Sequence, residues 1–203
     1  MPRVLLSASF PQEERGVLFE PYDGAHIADA CVHIARALLR GGATLVFGAH
    51  PTISPLILAV AGELNVSRSV VIYQSEWFTG SVPDDTLRLV ERDYGTIHWT
   101  PARGSREASL GLMRHHMFKD LRAAVFVGGM EGIVEEFRLA REARVEAFLV
   151  TGPGGATRHL DEADAGMPGV RVLDGAKYPS IAAQVATALA LRAAPDADPD
   201  VDA

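Results

Sequence analysis

A single cysteine, Cys31, occurs among the 203 residues, so no disulfide can close within the chain and a cytosolic setting is expected. Its place in an apolar helical repeat makes it a core residue rather than a nucleophile. No apolar run approaches the ~20 residues that cross a bilayer, which excludes a membrane span of that kind. The first residues do not join a basic stretch to a long apolar core, so no signal peptide is expected. Positive charge is scarce: 19 Lys and Arg stand against 26 Asp and Glu, a formal net charge of -7. A broad nucleic-acid surface is therefore not expected. His115 and His116 are adjacent and point in different directions on a helix, unlike a chelating pair one turn apart. No metal and no cofactor is expected.

What is present suits one large α/β domain. Hydrophobic residues make up 48% of the chain and charged residues 22%, enough for a substantial core. Asp196, Asp198, Asp200 and Asp202 crowd the last segment, "APDADPDVDA", which has no apolar periodicity. Residues 193–203 therefore read as a disordered acidic tail, and 1–192 as a single domain.

Within that domain, short apolar runs alternate with helical patterns. "RVLLSAS" (3–9), "ATLVFGAH" (43–50), "SVVIYQ" (69–74), "GTIHWT" (95–100), "AAVFVGG" (123–129), "EAFLV" (146–150) and "GVRVLD" (169–174) read as strands. Between the first two, Ile27, Cys31, Ile34 and Leu38 recur at helical spacing, and Gly41-Gly42 ends that helix. Helices are also expected near 54–64, 84–93, 105–121, 131–143 and 180–192. Near-continuous apolar strands separated by helices predict a doubly wound, Rossmann-like α/β fold: a mostly parallel sheet with helices on both faces. Such sheets bind ligands beyond the carboxyl ends of their strands, where the strand order reverses.

The loops after the strands are thus the candidates. After the first strand, Ser7 and Ser9 offer hydroxyls, and a long connection follows that suits a lid or rim. After the second come Gly48, His50 and Thr52; Thr52 or Ser54 is expected to cap the next helix, with Pro55 at its start. "VFVGGMEGIVEEF" (125–137) runs from a buried strand through Gly128 and Gly129 into a helix holding Gly132. Exposed amides and the helix dipole at that point favour an anion. Glu131 and Glu135 either stabilise the helix start or act on a bound sugar. "TGPGG" (151–155) is a flexible loop or a second backbone cradle, with Arg158 as a nearby positive charge.

The stretch "GGMEGIVEEF" resembles the signature of the SLOG superfamily, which includes the Lonely guy proteins. The family pattern is Pro-Gly-Gly-x-Gly-Thr-x-x-Glu on the same strand-to-helix turn. Gly128, Gly129 and Gly132 match its glycines, and Glu135 and Glu136 fall where its acidic residues stand. "MRHHMF" is similar to the preceding family segment, in which an arginine joins the active-site glutamate; Arg114 takes that place. Val127 replaces the proline, Ile133 replaces the threonine, and Met130-Glu131 adds one residue. These departures are more similar to the nucleotide-ligand-binding members, such as the sensor domains of TRPM channels and of the Thoeris antiphage system. The resemblance implies binding of a nucleotide-derived small molecule, of the ADP-ribose, cyclic ADP-ribose or nucleotide-sugar type. It also implies a homodimer. The alternative it implies is a phosphoribohydrolase that cleaves an N-glycosidic bond of a nucleoside monophosphate, with Glu135 and Arg114 as its catalytic pair.

Overall fold

The computed structural model describes residues 1–164 and 166–192. The expected acidic tail, 193–203, lies outside the described residues. Among those described, seven strands form one parallel sheet: β1 (Arg3–Ser9), β2 (Thr44–Gly48), β3 (Val70–Ser75), β4 (Gly95–Thr100), β5 (Ala123–Gly128), β6 (Glu146–Val150) and β7 (Val170–Leu173). Their order is β4-β3-β2-β1-β5-β6-β7. Every residue of β3 and β5 is buried, as a sheet covered on both faces requires.

One face carries α2 (Gly24–Arg40), α3 (Ser54–Glu63), α4 (Asp84–Glu91) and α8 (Tyr178–Ala188). There Ile27, Cys31, Ile34 and Leu38 pack on Val4, Leu6, Leu45 and Phe47, all essentially without exposed surface. The other face carries α5 (Arg106–Met117), α6 (Glu131–Glu142) and α7 (Ala156–Asp164). Met117, Ile133 and Phe137 meet Leu5, Val46 and Phe126 on that side. Consecutive β1 residues thus feed opposite cores, because side chains alternate along a strand. Asp23 caps α2 by accepting from the His26 backbone N–H at 3.0 Å.

Some elements have no counterpart in the sequence reading. They are the short α1 (Glu13–Gly16), two 3-10 turns at Val17–Phe19 and Glu76–Ser81, and α7. The order reverses at β1: the chain builds outward through β2, β3 and β4, then returns to lay β5 against β1 from the other side. The crevice at the carboxyl ends of β1 and β5 is therefore the switch point, and the walls of that crevice are the starts of the loops singled out above.

Candidate functional site

The turn after β5 holds Gly128 at φ 63° and Gly129 at φ 82°, a left-handed region that side chains disfavour. Space is equally restrictive. A Cβ on Gly128 would come within 2.6 Å of Ile27 Cδ1, and one on Gly129 would overlap Ile133 Cγ1. The turn's polar groups are engaged as well. The Gly129 N–H donates to the Ser9 carbonyl at 2.8 Å, and its carbonyl accepts from the Ala156 N–H at 3.0 Å. Gly129, whose amide was expected to help cradle an anion, is packed and hydrogen-bonded as a hinge between β5 and α6. The "TGPGG" loop closes on the back of this hinge, where its Gly155 N–H donates to the Pro21 carbonyl at 3.2 Å.

On the cleft side the arrangement is polar. Ser7, near the end of β1 and 4% exposed, donates from Oγ to Glu136 Oε2 at 2.6 Å. Arg114 Nε donates to the other oxygen, Glu136 Oε1, at 3.1 Å. Arg114 Nη1 pairs in addition with Glu135 Oε2. The Arg114 and Glu136 side chains are 15% and 14% exposed, whereas Glu135 is 39% exposed. Burial pushes the Glu136 carboxyl above its ordinary range, although Arg114 and the Ser7 hydroxyl pull in the opposite direction. Gly132 leaves room for this network: a Cβ there would stand 3.0 Å from Arg114 Nη2.

These groups border an open cleft of about 800 Å³. Of the residues singled out from sequence, Ser7, Ser9, Gly48, His50, Arg114, Glu131, Gly132 and Glu135 line it. Gly128, Gly129 and Thr52 stand behind its wall. Thr52 instead fixes His50: its backbone N–H donates to Nδ1 at 3.4 Å, and its hydroxyl lies 2.9 Å from the same atom. An amide can only donate, so Nδ1 is the acceptor and Nε2 carries the ring proton. Burial lowers the His50 pKa, which keeps this neutral form.

Neither Thr52 nor Ser54 caps α3, whose N-cap is Ile53 without a side-chain bond. The buried Ser54 hydroxyl bonds the His50 carbonyl at 2.9 Å and Thr86 Oγ1 at 2.7 Å, tying the second loop to α4. Arg158 is exposed and does not line the cleft.

Sequence reasoning placed Glu136 within the signature but did not select it, and it missed Gln74, Phe78, Arg106 and Glu107 on the cleft wall. Glu136 had a detectable signal. It lies three residues after Ile133 and four before Ala140, on the apolar stripe of α6. A carboxylate on a buried stripe needs partners, and Ser7 and Arg114 are those partners. Among the described residues, no three His, Cys, Asp or Glu side chains converge as a metal site. No described helix is long and apolar enough to cross a membrane.

The SLOG cluster3 family profile matches residues 20–183, and the chain belongs to that family. No curated protein matches the sequence. Solved structures with the same fold include the structural-genomics target TM1055, at TM-score 0.60 and 15% identity, with 92% of this chain and 99% of that one covered. A second is the molybdenum cofactor carrier protein of Chlamydomonas reinhardtii, at TM-score 0.59 and 16% identity, with 93% and 98% covered. At such identities the likeness establishes the shared architecture alone.

Proposed function

We propose that the cleft binds a nucleotide-derived small molecule, of the ADP-ribose, cyclic ADP-ribose or nucleotide-sugar type. The observation that carries this reading is the Ser7–Glu136–Arg114–Glu135 network at the open switch point. Two donors hold Glu136 rigid, while Glu135 reaches solvent and can accept ribose hydroxyls. Neutral His50 adds a ring N–H donor. Family membership supports a small-molecule ligand, and a strand-end cleft of this size accommodates one.

Thermal shift and calorimetry with ADP-ribose, cyclic ADP-ribose, AMP and nucleotide sugars test the proposal, because a ligand of the native state raises the melting temperature. A rise with at least one of them, reduced by Glu135→Gln, is the expected outcome. No shift with any of them refutes it. Molybdenum cofactor, the cargo of the similar carrier protein, serves as the comparison ligand.

A second reading, N-glycosidic hydrolysis, is favoured by one specific feature. Glu135 and Glu136 are neighbours in unequal environments, one open and one buried with a raised pKa. Such a pair can divide the roles of ionised stabiliser and proton donor. Release of free base from a nucleoside monophosphate would establish it, provided Glu136→Gln abolishes the release.

A further inference from the structure

The charges on the cleft wall are unevenly placed. Among the described residues, four carboxylates line it, Glu107, Glu131, Glu135 and Glu136, against two guanidiniums, Arg106 and Arg114. Arg114 is committed to both Glu135 and Glu136 at the floor. Placing a phosphate there would require it to displace a carboxylate from a largely buried pair. Of the glycine amides expected to hold an anion, that of Gly129 already serves the Ser9 carbonyl.

Arg106 differs from Arg114 in each respect. It is exposed at the start of α5, roughly two turns or about 12 Å along the helix axis from Arg114. Among the described residues it has no carboxylate partner. Its guanidinium lies over the Phe78 ring, 5.8 Å from the centroid, and Phe78 also lines the cleft. An arginine resting on an aromatic face keeps its donor edge outward and is partly ordered before any ligand arrives. The turn that carries Phe78 is kinked at that residue, with φ -106° and ψ 18°.

We infer that Arg106, supported by Phe78, is the anion subsite of the cleft. The ligand then runs with its phosphate outward at the mouth and its hydroxyl-bearing sugar inward at Glu135 and Glu136. This inference rests on the nucleotide-binding reading and adds an orientation and a selectivity to it. With Arg106 the one uncommitted cation at the mouth among the described residues, and Glu107 beside it, the site takes a ligand of low charge such as AMP. It disfavours triphosphates, whose extra charges would face carboxylates.

The test is calorimetry on the full chain with adenosine, AMP and ATP, in the wild type and in Arg106→Gln, Phe78→Leu and Glu135→Gln variants. The expected result is AMP binding tighter than ATP, and a loss of about tenfold for AMP in Arg106→Gln with adenosine unchanged. Phe78→Leu should give a smaller loss confined to AMP. Circular dichroism and melting temperature should match the wild type, because the Arg106 side chain is on the surface. If AMP binds and Glu135→Gln weakens it while Arg106→Gln does not, the nucleotide reading stands and this subsite is overturned. Equal losses for adenosine and AMP in Arg106→Gln overturn it too. If adenosine, AMP and ATP all fail to bind the wild type, this subsite is overturned, and the nucleotide-binding reading is decided by ADP-ribose, cyclic ADP-ribose and the nucleotide sugars.

Discussion

The Gly128–Gly129 turn and the wall made by Arg114, Glu135 and Glu136 adjoin the same helix, α6, and are built by opposite rules. The turn has no side chains, left-handed backbone, and neighbours at contact distance: Ile27, Ile133 and Gly155. Its hydrogen bonds run to Ser9 and Ala156, within the protein. The wall is made of long ionisable side chains, one carboxylate buried and one open, facing an 800 Å³ cleft. The glycines attract attention as a motif, yet their work is to let β5 turn sharply enough that α6 presents its carboxylates to the crevice. The difference teaches that the paired glycines shape the turn, while Gly132 and the carboxylates after it line the cleft.

Substitutions should separate the two regions by what they damage. The largest effect is expected for Gly129→Ala, which combines a positive φ with overlap on Ile133; about 4 kcal/mol of stability should be lost in urea denaturation. Arg114→Met should come next, at about 3 kcal/mol, because it leaves Glu136 buried without its cation. Unlike the turn variant, it should also lose the interactions that hold Glu135 and Glu136 in place for a ligand. Ser7→Ala removes one hydrogen bond to Glu136 and should cost about 1.5 kcal/mol. If Gly129→Ala were as stable as the wild type but failed to bind ligand, the division between hinge and wall would collapse.

The smallest effect is a pH dependence. Burial raises the Glu136 pKa from 4.5, so the folded chain holds this proton more tightly than the unfolded chain does. Its contribution is therefore fully present below about 4.5 and is lost as pH rises through the higher folded value. Glu136→Gln cannot titrate. The melting temperature of that variant relative to wild type should rise as the pH is raised from below 4.5 towards neutrality. A flat difference would mean that the Arg114 and Ser7 contacts cancel the burial.

The sheet was legible because its inner strands are apolar on both sides. β1 and β4 have the same bounds in sequence and structure, and the repeat through Ile27, Cys31, Ile34 and Leu38 marked α2 correctly. α7 was not legible: among its residues with described side chains only Ala156 and Leu160 are apolar and buried, too few to set a period, and it follows a glycine-rich loop. The Glu76–Ser81 turn has no periodic signal, since six residues in 3-10 form bury none of their members. At the site, residues of the signature and of the loops after β1 and β2 were found, whereas Phe78 lies in the 3-10 turn after β3 and Arg106 at the start of α5. Their nearness depends on β3 lying two strands from β1, which no local pattern encodes.

The most direct test of the central claim is a crystal structure of the chain soaked with AMP and ADP-ribose. The account predicts ligand density in the cleft, with sugar hydroxyls on Glu135 and phosphate nearest Arg106. Density seated on the Gly128–Gly129 amides, or a cleft left empty at saturating ligand, would contradict it.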